Sequence, residues 1–177
     1  MTVRNKQEVG EALLGGIVAG LVGGVVLSVT ALSLNVAAGL DRWVTLKTAG
    51  LPFLGDRAVE PGPDTLAVVV GLATHFAISI GWGATFALLF YGVRPWLTLL
   101  SGGLWGLVVW LGMYGLVLPA IGLGVLPRQT PVASAVIQHV VFGLSLAGAL
   151  LPFQKSARAD RAETRRPHGP FSARAAH

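Results

Sequence analysis

Four long stretches of this chain hold almost nothing but apolar and small residues, and polar residues, prolines and turn formers gather between them. They run from Ala12 to Leu40, Thr65 to Tyr91, Trp96 to Leu118 and Val132 to Phe153. Each exceeds the ~20 residues an α-helix needs to cross a hydrocarbon layer of about 30 Å. None shows the period-2 alternation of a membrane β-barrel strand. The pattern predicts an all-α fold: a polytopic transmembrane four-helix bundle over residues 12–153. A short terminus (1–11) precedes it, and a basic, disordered tail (154–177) is expected after it.

The basic residues Arg4 and Lys6 before the first stretch resemble the start of a signal peptide. The apolar run behind them is much longer than the roughly 7–15 residues of a signal core, so it reads as a retained helix. The turn Gly92-Val93-Arg94-Pro95 is so short that helices two and three are expected to be antiparallel neighbours. The only long connection, 41–64, carries Trp43, Pro52, Gly55, Pro61, Gly62 and Pro63 and is expected at the outer interface. Trp43, Tyr91 and Trp96 fall near span ends, where aromatic rings favour headgroups. Trp82, Trp105 and Trp110 lie deeper, as packing or lipid-facing residues whose indole N–H prefers a partner.

Composition agrees: 53% of residues are hydrophobic and 12% charged, with a mean hydropathy of +0.69. The chain has no cysteine, which excludes disulfides, thiolate ligands, iron–sulfur clusters and cysteine catalysis. The positive charge is uneven. Nine of the 13 Lys/Arg (Arg4, Lys6, Arg94, Lys155, Arg158, Arg161, Arg165, Arg166, Arg174) fall on one side if the spans alternate; Arg42, Lys47, Arg57 and Arg128 fall on the other. By the positive-inside rule this predicts both termini in the cytoplasm, N-in and C-in. The tail's arginines then meet anionic lipid headgroups, with an acidic cytoplasmic partner as the alternative and no nucleic acid.

Membrane helices associate through close backbone approach and interhelical polar bonds. Gly16, Gly20, Gly24 and Ser28 recur every fourth residue and predict a packing seam on helix one; Gly103, Gly106 and Gly112 offer a less regular one on helix three. On helix two, His75 is followed at steps of four by Ser79, Gly83 and Ala87; on helix four, His139 is followed by Gly143 and Ala147. The two hairpins thus read as a parallel repeat, as in small transporters, with both imidazoles buried at similar depth on inward faces. An ionisable group in hydrocarbon is costly, so the pair marks the candidate site, with Ser79, Gln138, Tyr114 and Trp110 near it.

The glycine-rich opening of helix one (Gly16, Gly20), His75 with Gly81 and Gly83, Gly103 with Gly106, Leu118-Pro119 with Gly122, and the step from His139 to Gly143 carry a resemblance. In these residues, across roughly 12–153, the chain resembles the uncharacterised bacterial four-helix inner-membrane proteins that include the YagU-like family. The resemblance implies a multi-pass protein of the bacterial cytoplasmic (inner) membrane and no particular activity.

Three readings of the histidines stand open. The plainest is structural, a neutral ring tying two helices together, with Thr74, Gln138, Trp110, Tyr114 or Asn35 as partners. The second is a bis-histidine b-type haem with His75 and His139 as iron ligands. The third is a proton or cation relay through His75, Ser79, Gln138, His139 and Tyr114. No Asp or Glu falls within the four stretches, which counts against the relay, and two histidines make an incomplete zinc site, so no metal is expected. No GxSxG, HExxH or phosphate loop is present, and the acidic residues of 41–64 read as solvated. The expected protein is therefore not an enzyme, carries no cofactor unless haem b, and serves as an accessory or transport-related component. Its partners are the bilayer and, through the glycine seams, a second copy or a larger membrane complex.

Overall fold

The computed structural model describes residues 3–124 and 131–164, with side chains over 6–124 and 131–154. Among the described residues every regular element is helical. Helix α1 (Val3–Ala37) leads into α2 (Arg42–Lys47) and α3 (Leu51–Leu54), joined by 3-10 turns over Thr48–Gly50 and Gly55–Ala58. Then follow α4 (Thr65–Phe90), α5 (Pro95–Gly112), a π turn (Met113–Val117), α6 (Leu118–Ala120) and α7 (Val132–Thr164). Four segments are long and apolar enough to cross a membrane: Lys6–Ala37, Thr65–Phe90, Pro95–Ala120 and Val132–Gln154.

The ends of these helices have local causes. Helix α1 reaches back through a polar turn in which Gln7 Nε2 donates to Glu11 Oε1 at 3.2 Å. The helix thus extends ahead of the first apolar stretch, which itself holds no carboxylate, and carries Glu8 and Glu11 in its first turns. The helix stops at Gly39, whose φ of +77° lets the Leu40 N–H return to Asn35 O at 2.9 Å. Helix α5 starts on Pro95, where a missing N–H costs nothing. Near its far end Pro119 cannot donate to the carbonyl four residues back, and the π turn just before it widens the backbone at that place. Beyond the fourth apolar stretch, α7 continues through Pro152 to Thr164. The first residues of the tail are thus helical, while Arg128, residues 165–177 and the tail's side chains lie outside the described residues.

Helix α1 is the spine, packing along α4 on one side and α7 on the other, and α5 packs along α7. Helices α4 and α5 share the tight turn but meet mainly through rings, with Trp105 lying 5.7 Å from Trp82, 6.0 Å from Phe86 and 6.3 Å from Phe90. The other three contacts are built on glycine. A Cβ at Gly16 would lie 2.7 Å from Ala84 Cα, and one at Gly20 2.6 Å from Ile80 Cα. Gly83 meets Gly16 and Gly20 from the α4 side. A second face of α1, Gly15, Ala19 and Gly23, presses on Leu150, Phe153, Phe142 and Leu146 of α7. The third seam pairs Gly102 and Gly106 of α5 with Gly143 of α7. Of the three glycines read on α5, Gly106 lies on that seam, whereas Gly103 and Gly112 are half-buried with only ordinary contacts, and Gly102 stands where Gly103 was read.

Candidate functional site

The 41–64 connection folds into a cap on the end of the bundle where α4 begins. Asp41 Oδ1 accepts from Trp43 N at 2.7 Å and Val44 N at 3.1 Å, starting α2, while Oδ2 accepts from Gly62 N at 3.3 Å. One carboxylate thereby joins both ends of the segment. Lys47, 1% exposed, donates from Nζ to Glu60 O at 2.5 Å and Gly62 O at 3.0 Å. Gly71 of α4 has no side chain to hold the cap away, so Leu46 O and Lys47 Cα rest directly on it. Lys47 was expected in a solvated loop; it is instead the pin that closes one.

Arg57 forms an ion pair with Asp64, which also caps α4 by accepting from Ala67 N at 3.0 Å. The Arg57 guanidinium, and then the Ala67 N–H, hold the Asp64 carboxyl well down, at about 2 against an ordinary 3.8. Asp41 is lowered too, chiefly by the Val44 N–H. A carboxylate whose folded value is depressed contributes its stability above its unfolded value and loses it as the pH falls through the folded one. The cap should therefore loosen between about pH 4 and pH 2. Pepsin cleavage within 51–58 should rise over that interval, and Asp64→Asn should be cut readily already at pH 4.

The histidines lie below this cap. His75 Nε2 is 2.9 Å from Gly24 O across the α1–α4 seam, and its ring stands edge-on to Phe76 at 5.2 Å. His139 Nδ1 is 2.8 Å from Ala135 O of its own helix, with Tyr114 of the π turn T-shaped against the ring at 5.6 Å. A carbonyl only accepts, so the bonded nitrogen carries the proton in each ring. In a neutral ring this bond selects opposite tautomers for the two histidines and leaves the second nitrogens, His75 Nδ1 and His139 Nε2, with no partner among the described residues.

The expected buried pair is corrected in three respects. Only His139 is buried, at 8% exposure, while His75 is half-buried. The two rings turn to different neighbours rather than to each other. Their antiparallel registers against α1 also set His139 roughly one helical turn closer to the cap end than His75.

The other residues disperse. Ser79 is buried against Gly20 and Gly24 of α1. Gln138 donates to Ser134 Oγ at 2.9 Å on its own helix, and Thr74 donates to Val70 O at 2.8 Å. Asn35 reaches the cap, donating to Thr45 Oγ1 at 3.1 Å. Trp110 Nε1, like Trp105 Nε1, is buried without a hydrogen-bond partner. No hydrogen bond joins His75 to Ser79, Gln138 or His139. Beside His75, Ser28 and Thr45 line a cleft of about 70 Å³ whose apolar walls include Leu27, Leu46 and Leu72.

A polar cluster not read from the sequence closes the opposite end. Tyr91 Oη donates toward Glu11 Oε2 at 3.1 Å and Phe153 O at 3.3 Å. Gln154, 1% exposed, accepts from Thr98 Oγ1 at 3.2 Å and donates to Phe90 O at 3.0 Å. Four helices are thereby tied by side chains that looked like span-end polar residues. Gln154→Leu should remove both bonds while Phe90 O keeps Val93 N at 3.2 Å and Thr98 Oγ1 keeps Arg94 O at 3.1 Å, costing about 0.5–1.5 kcal/mol per lost bond in a denaturation titration.

The chemistry on offer is hydrogen bonding and Lewis basicity from single imidazoles. Among the described residues no three His, Cys, Asp or Glu converge as a metal cage. A scan against protein-family models, a search of curated proteins and a search of solved structures each find no match to this chain.

Proposed function

We propose that this chain is a small multi-pass protein of the bacterial cytoplasmic membrane, related to the YagU-like families, acting as an accessory or transport-related component rather than an enzyme. Both termini lie in the cytoplasm and the cap faces outward, as the nine-to-four division of basic residues favours. The observation that carries the reading is the cleft under the cap. It holds the half-buried His75 with an unpartnered ring nitrogen, in a bundle whose long faces are otherwise apolar. An ionisable side chain kept accessible at such a place is what solute handling requires. His75→Phe should abolish a solute- or pH-dependent flux in proteoliposomes while leaving the melting temperature within a few degrees. Unchanged flux with a lowered melting temperature would leave His75 a helix tie.

The second reading, a bis-histidine haem b carrier, draws on one observation. Each imidazole anchors its N–H on a backbone carbonyl, as iron-ligating histidines do, and keeps the other nitrogen available. Oxidised and dithionite-reduced visible spectra test it, since a reduced band near ~560 nm is required after expression with haem supply. The half-repeat of the two hairpins belongs to the first reading. Gly24 and Gly106 stand opposite His75 and His139 on the partner helices, an arrangement that a duplicated hairpin would produce.

A further inference from the structure

We propose that the cleft beside His75 is a binding site for a small, uncharged, hydrogen-bonding molecule, held between α1, α4 and the cap. Three groups in its wall have unused capacity, and their causes are visible in the backbone. Gly24 O accepts from His75 Nε2, which in the neutral ring leaves Nδ1 as an acceptor. That same carbonyl lies four residues before Ser28, the usual acceptor for a helical serine hydroxyl, and Ser28 makes no such bond. Thr45 Oγ1 accepts from Asn35 and donates to nothing. One acceptor and two hydroxyls therefore border a cleft of about 70 Å³.

The size and the walls define the ligand class. A volume of about 70 Å³ admits on the order of two to four non-hydrogen atoms. Leu27, Leu46 and Leu72 contribute apolar surface, and no charged side chain lines the cleft. The nearest ammonium, Lys47, is committed to Glu60 O and Gly62 O. An ion would lose its hydration without a counter-charge, whereas a neutral molecule with one N–H or O–H and one acceptor satisfies the wall. The cap helix α2 supplies Thr45 and Leu46, so the site exists only while Lys47 holds the cap closed.

This inference rests on the reading of His75 as part of a solute site, and binding is measured apart from flux so that the two can fail separately. The probe is formamide, which both donates and accepts, with acetone, which only accepts, as the control. The readout is the imidazole ¹⁵N spectrum of histidine-labelled full-length protein in nanodiscs, with His75 assigned by its loss in His75→Gln. Formamide should shift the His75 Nδ1 resonance saturably while leaving His139 in place, and acetone should not. Ser28→Ala and Thr45→Val should each weaken binding at least threefold while leaving the His139 signal unchanged. A shift that never saturates, one shared equally by His139, or one untouched by both substitutions would overturn the site. Saturable formamide binding without flux would retain the site and remove only its transport role.

Discussion

Gly106→Ala should destabilise the bundle by about 1–3 kcal/mol in an SDS-titration unfolding experiment, the range for overpacking a close contact. Its new methyl would collide with the His139 carbonyl and come within 3.0 Å of Val140 Cα. Both are backbone atoms, so no rotamer change relieves the clash and α5 must move off α7. Gly103→Ala, three residues earlier, should do the opposite. Its methyl meets only Leu144 Cδ2 at an ordinary 3.7 Å, and replacing a helical glycine gains up to ~1 kcal/mol. Opposite signs at two glycines of one helix would locate the seam without a structure. Gly106→Val extends the same clash and should leave no folded protein to purify.

Lys47→Met should release the cap while sparing the four long helices. The substitution keeps the length of the buried stem but removes the ammonium from Glu60 O and Gly62 O. Hydrogen bonds from charged groups contribute about 1.5–3 kcal/mol each, and orphaned buried carbonyls add to the cost. Hydrogen exchange over residues 42–64 should accelerate by at least a hundredfold, while amides of α1 and α7 near Ala19 and Leu146 keep their protection. Lys47→Arg should not rescue it, because a planar guanidinium does not fit where a point charge meets two carbonyls. Unchanged exchange in 42–64 would show that Asp41 and the Arg57–Asp64 pair hold the cap alone.

The four spans were legible because the hydrocarbon requirement writes itself into uninterrupted apolar runs. The seam of Gly16, Gly20 and Gly24 was legible because spacing alone places residues on one helix face. What spacing does not say is which helix that face meets. Two adjacent small-residue faces on α1 serve two different neighbours, and the Gly15-Ala19-Gly23 series was present in the sequence but overlooked beside the first. The same gap affects the histidines. Periodicity turned both inward, yet the acceptor each ring found was a backbone carbonyl, which no side-chain pattern announces.

The cap was missed for a different reason. Its prolines and acids look like a solvated loop, although Trp43, Val44, Leu46, Leu51 and Leu54 are more apolar than a free loop requires. Asp41, placed three residues before Val44, was a readable helix start. Lys47 was not readable, because its burial depends on two carbonyls that fold back from 13 and 15 residues downstream. Glu11 and Gln154 fell in the terminus and the tail by the apolar pattern, yet the helices run past the apolar runs and carry both into the packed end of the bundle.

The proposed arrangement is a four-span bundle with its capped, His75-bearing end outside and both termini inside. The absence of native cysteine makes one measurement direct. Single cysteines placed by Asp56→Cys in the cap and Ala175→Cys in the tail are challenged with a membrane-impermeant maleimide on intact spheroplasts, then again after permeabilisation. With the cap outside and both termini inside, Asp56→Cys is labelled in both conditions and Ala175→Cys only after permeabilisation. Labelling of Ala175→Cys on intact spheroplasts, with Asp56→Cys protected until permeabilisation, would contradict that arrangement.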